Sequence, residues 1–126
     1  MTFTTCFGRL LEMIKIVRDK ITIAELKEIA EKMFGNLVKA VVDVEKEVMA
    51  VYGELHSDEE ATLISNGSKQ EALWGINIYP SLEGDKRIEF DSMINLRPSQ
   101  GNMSRGVDDP KVQIKIREIV DKLITE

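Results

Sequence analysis

ALWGINIYP, residues 72–80, alternates Trp74, Ile76 and Ile78 with Gly75, Asn77 and Tyr79, and Pro80 then removes the next ladder donor. That period of two predicts a strand with one apolar face. Its expected partner is RIEFDSMINLR, residues 87–97, where Ile88, Phe90, Ile94 and Leu96 alternate with Glu89, Asp91, Met93, Asn95 and Arg97. Upstream, VKAVVDV (38–44) and EVMAVYG (47–53) are two β-branched runs around a short charged break, and they read as a hairpin. Glu-Lys is a poor type I′ pair, so a longer or bulged connection is expected.

Two helices flank these strands. Thr22 and Glu25 form a T-x-x-E capping box, with Ile21 and Leu26 spaced as its hydrophobic staple. Leu26, Ile29, Ala30, Met33 and Phe34 then make one apolar stripe, and Gly35 is placed to end it. At the other end Asp109 is an N-cap and Pro110 the first helical residue, followed by Val112, Ile116, Ile119, Val120 and Leu123 along one face. The order is helix, about four mostly antiparallel strands, helix. It predicts an α+β domain with the N-terminal and C-terminal helices on one face of the sheet and the other face free.

Between hairpin and strand lies ELHSDEEATLISNGS, residues 54–68, where Ser57 and Glu60 imitate a second capping box before a run too short for a secure helix. Residues 55–66 are open to either reading, helix or strand, and the strand reaching a turn at Asn66-Gly67 is preferred. MIKIV, from Met13, would supply a short edge strand. Residues 1–12 share none of this pattern and are expected to be a disordered arm or an overextended start, which leaves one domain over 13–126.

The chain has 126 residues, 22 acidic against 17 basic, and a formal charge of −5, so it repels duplex DNA at long range. A phosphate partner would need a local basic patch. With Cys6 as the only cysteine there is no internal disulfide, which fits a reducing, cytoplasmic setting. No apolar run approaches the roughly 18 residues of a membrane span.

Strand parity places Asn77, Tyr79, Asp91, Asn95 and Arg97 on the free face. These are groups with fixed hydrogen-bond geometry, and they suit either a ligand site or a network tying a loop to the sheet. The loop RPSQGNMSRGVDD (97–109) carries Arg97, Gln100, Asn102, Ser104 and Arg105 with two glycines and no acid before Asp108. Two guanidiniums and turned backbone amides would hold a phosphate or carboxylate. The competing reading pairs the arginines with Asp91, Asp108 or Asp109. His56, Asp58 and Glu60 would share one face of a strand, but one histidine with carboxylates is a weak metal signature, and no metal or cofactor is assigned.

The expected function is binding of an anionic small molecule or RNA by Asn77, Tyr79, Asn95, Arg97, Gln100, Asn102, Ser104 and Arg105. Phosphodiester processing with His56 and Asp91 as acid and base is its enzymatic version. The alternative is a non-catalytic protein interaction module on the free face. Parity also predicts that Phe90→Ala destabilises far more than Asn95→Ala.

Read together, ELHSDEE (54–60), NGSKQEALWGINIYP (66–80) and FDSMINLRPSQGNMSRGV (90–107) resemble a family of small bacterial and archaeal proteins catalogued only as a domain of unknown function. The resemblance spans Met13 to the C-terminus. It implies no activity, cofactor or catalytic residue, so function must be argued from the site.

Overall fold

The computed structural model describes residues 13–126, and the expectations for residues 1–12 lie outside it. The chain runs β1 (Lys15–Val17), β2 (Ile21–Thr22), α1 (Ile23–Met33), β3 (Val38–Asp43), β4 (Val48–Val51), α2 (His56–Ser65), β5 (Leu73–Ile78), β6 (Ile88–Glu89), α3 (Pro110–Leu123) and β7 (Ile124–Thr125). Five strands form a sheet in the order β1-β4-β3-β5-β6, every neighbour antiparallel. A small parallel pair, β2 with β7, ties the start of α1 to the end of α3.

The local signals act as their chemistry dictates. Thr22 Oγ1 accepts from Glu25 N at 3.0 Å and starts α1, and Gly35, at φ 91°, ends it with its amide on Ala30 O. Asp109 caps α3 by accepting from Lys111 N at 2.9 Å. The β3–β4 connection is indeed longer than two residues: Asp43 pairs with Val48, and Asp43 Oδ1 accepts from the amides of Glu45 and Lys46 at 2.9 Å each.

Alternation then divides the sheet into two faces. Val38, Ala40, Val42, Met49, Val51, Trp74, Ile76 and Ile78 pack with Leu26 and Ile29 of α1 and with Ile116, Ile119, Val120 and Leu123 of α3. Both terminal helices therefore cover one face, as expected. The other face is not free. Val41, Val48, Ala50 and Leu73 meet Leu63 of α2, with Ile14, Ile16 and Ile94 at the margin.

Two expectations are thereby corrected. Residues 55–66 are mostly helix, not strand: α2 buries Leu63, Glu59 and His56, and its one deep apolar side chain left no stripe to read. The long partner strand ends after Glu89. Ser92 accepts from Ile94 N and opens a 3-10 turn over Met93–Asn95, so parity fails beyond the break. Ile94 joins the second face, Leu96 lies at the surface, and Asn95 becomes fully buried.

Candidate functional site

Asn95 stands in for the missing strand. Its Oδ1 accepts from Gly75 N at 2.8 Å, and its Nδ2 donates to Gly75 O and Arg105 O at 2.9 Å each, so one amide side chain continues the ladder of β5. Close approach requires the glycine: a Cβ on Gly75 would sit 2.6 Å from Ser92 Cβ and Oγ. Asn102 is the second knot. Its Nδ2 reaches the carbonyls of Asn95 (2.7 Å), Gly106 (2.9 Å) and Ser104 (3.1 Å), and its Oδ1 accepts from Asp108 N at 2.8 Å.

Arg97 is bound to carbonyls. Its guanidinium donates to Ile94 O (2.8 Å), Gln70 O (2.9 Å) and Leu73 O, and it stacks 4.6 Å from the centre of the Trp74 ring. Gln100 joins it by accepting from Nη1 and donating to Glu71 O. Ser104 donates to Asp108 Oδ1 at 2.5 Å, and that hydroxyl with the Met103 amide holds the Asp108 carboxyl below the usual carboxylate range. In this arrangement Asn95, Arg97, Gln100, Asn102 and Ser104 bind their own loop to the sheet.

Of the remaining candidates, His56, Asn77, Asp91 and Arg105 gather elsewhere, and Tyr79 stays outside that group. A cleft of about 230 Å³ opens between the start of α2 and the segment after β6, lined by Lys39, Leu55, His56, Ser57, Asn77, Asp91, Ser92, Met93, Ile94 and Arg105. Arg105 Nε donates to Asp91 Oδ1 at 2.7 Å, with both side chains about half exposed. Only Nε is used, so the terminal nitrogens of Arg105 take no partner among the described residues. Leu55, the residue before α2, has no side chain that can cap it, and the first helical amides of His56 and Ser57 lack intrahelical partners by position.

His56 Nε2 lies 2.7 Å from Ile76 O, which can only accept, so the proton is on Nε2 and the lone pair on Nδ1. Burial pushes the imidazole below its ordinary 6.5, which keeps it neutral at pH 7. Asn77 is 8% exposed, and its Nδ2 donates to Glu89 Oε1 at 2.8 Å. Tyr79 donates its hydroxyl to the same oxygen at 3.0 Å. Burial first, and then Glu89, raise the Tyr79 phenol above its ordinary value. Asn77 Oδ1 is buried with no donor among the described residues.

Helix also disperses the acidic run. Residues two apart share a face on a strand but not on a helix, so Asp58 leaves the face of His56 and Glu60, which are four apart, and the three do not converge. No group of three histidine, cysteine or acidic residues among the described residues is arranged to hold a metal ion. No helix among them is long and apolar enough to cross a membrane. The start of α2 and Lys39 were missed as site elements. An uncapped helix start after Leu55 was the legible signal for the former, once residues 55–66 are read as helix.

The chain belongs to a family described as a protein of unknown function (DUF5674), whose model matches residues 15–123. Neither a curated protein nor a solved structure matches it.

Proposed function

We propose that this member of a family without an assigned activity binds a small anion in the cleft between the start of α2 and Arg105. The observation that carries the reading is the meeting of unpaired donors at one concavity: two amides at a helix start and the free edge of the Arg105 guanidinium, with Lys39 lining the same cleft while its ammonium lies over the Phe34 ring. Helix amides and the positive end of the helix dipole favour negative charge there.

The cleft lies below the roughly 300–1,000 Å³ of pockets for drug-sized ligands, which favours a metabolite over an RNA strand. Phosphodiester processing by two arginines has less support, because Arg97 is engaged by carbonyls outside the cleft. An interaction module on a free sheet face would need a surface that α2 covers.

Titrating acetate and inorganic phosphate should shift the amide signals of His56, Ser57 and Arg105, with an affinity that weakens as salt rises. Arg105→Ala should abolish the response, and Arg105→Lys should restore only part of it, since the charge returns without the fork. A folded native protein that responds to neither anion would overturn the reading.

A further inference from the structure

We propose that Asn66 is a site of spontaneous deamidation and that the closing turn of α2 sets its rate. Of the five asparagines, Asn66 alone is followed by glycine, and both residues are exposed to the water and hydroxide that the reaction uses. The Gly67 nitrogen, giving up its proton to hydroxide, attacks Asn66 Cγ. The new N–Cγ bond forms, the Cγ–Nδ2 bond breaks, and Nδ2 takes a proton from water and leaves as ammonia. Water then opens the cyclic imide at either carbonyl and leaves an aspartyl or an isoaspartyl residue. With no Cβ, Gly67 leaves the attacking nitrogen uncrowded.

In the closed turn both reactants are held apart. Gly67, at φ 98°, donates its amide to Ile64 O, and Ser68 N donates to Leu63 O, each at 3.0 Å, the paired bonds of a glycine helix stop. The proton that the nucleophile must lose is therefore engaged. The target is turned away as well: Asn66 Nδ2 donates to Thr62 O at 2.8 Å, which holds the side-chain amide back along the helix while Gly67 lies past its end. Ser68 Oγ anchors the turn by donating to Asp43 Oδ2 at 2.5 Å, the carboxylate whose other oxygen holds the β3–β4 connection. Opening of this last turn alone, with the sheet intact, frees both reactants. Conversion then removes the donor to Thr62 O and sets a carboxylate at the negative end of α2.

The test is peptide mapping by mass spectrometry on the full chain, kept in mildly alkaline buffer with and without urea. The unfolded chain should convert Asn66 about tenfold or more faster than the folded protein, and Asn36, exposed but followed by leucine, should convert more slowly than Asn66 in urea. Ser68→Ala removes the anchor on Asp43; it should speed conversion in buffer by about threefold or more and leave the rate in urea unchanged. A change in intrinsic reactivity would not give that split. Should the variant not fold, urea below the unfolding midpoint acts on the native protein in its place, and conversion should rise in step with hydrogen exchange at the Gly67 amide. An Asn66 that stays intact in urea, or reacts no faster there than Asn36, overturns the site. Equal rates in buffer and urea overturn the control by the turn, as does a folded Ser68→Ala chain that converts no faster than the native one.

Discussion

The two faces of the sheet bury different chemistry. Against α1 and α3 lies a continuous apolar cluster from Val17 to Leu123, with no buried charge. Against α2 and the loop after β6 the apolar patch shrinks to Val41, Val48, Ala50, Leu63 and Leu73. The buried polar residues, Asp43, His56, Glu59, Ser68, Asn77, Ser92, Asn95 and Asn102, belong to that second face and its bordering loop. One face is held by area removed from water, which is non-directional; the other by hydrogen bonds with fixed partners. An unpaired group is therefore informative on the second face, and Asn77 Oδ1 belongs to the side that has the cleft.

The sharpest way to break this contrast is to compare one residue from each side. Asn95→Ala would leave Gly75 N and Gly75 O without their partner, while Arg105 O keeps the Ser92 amide, and each buried group so orphaned costs about 1–3 kcal/mol. Phe90 is only partly buried at the rim of the first face, so Phe90→Ala should fall below the roughly 3–5 kcal/mol of a fully buried aromatic truncation. Denaturant midpoints should show Asn95→Ala as the costlier change, the reverse of what strand parity predicts. A near-neutral Asn95→Ala would mean the ladder substitute carries no weight.

That reversal also measures what the sequence could disclose. The capping box at Thr22, the hairpin around Glu45, the alternation of β5 and the Pro110 helix were legible because each satisfies its own backbone or repeats at its own period. α2 was not, because Leu55 precedes it and Leu63 is its only deep apolar side chain. The segment after Glu89 misled for a different reason. Its alternation continues in the letters, but Ser92 turns the chain, and the contact that replaces the ladder is a side-chain bond spanning 20 positions between Asn95 and Gly75. Nothing local marks such a partner. Of the candidate site, His56, Asn77, Asp91 and Arg105 were legible as chemistry; their convergence required the helix.

A second break concerns charge within the second face. Glu59 is fully buried, with Oε2 accepting from Gly53 N at 2.9 Å and Oε1 without a partner among the described residues. Burial raises its carboxyl well above the ordinary 4.5, more than the Gly53 amide and Lys39 lower it. A raised folded-state pKa gives a contribution fully present below the unfolded value and lost as pH rises through the folded one. Glu59→Gln keeps an acceptor for Gly53 N and cannot ionise. Thermal melts should find the variant close to the native protein at pH 4 and more stable than it at pH 8, with a flatter dependence between. A native advantage at pH 8 would show that Glu59 is ionised and compensated in the fold.

The smallest expected effect is on stability when Arg105 is truncated, and it decides whether the loss of anion binding can be interpreted. The Arg105–Asp91 pair is exposed on both sides, 55% and 45%, and pairs of this kind contribute within about 1 kcal/mol. What holds the loop at this position is backbone: Arg105 O accepts from Ser92 N at 2.9 Å and from Asn95 Nδ2 at 2.9 Å, and both bonds survive replacement of the side chain. Arg105→Ala should therefore shift the melting midpoint by no more than about 4 °C while removing the response to acetate. A much larger shift would mean that the guanidinium belongs to the structural network with Arg97, and the polar face would then be wholly scaffold.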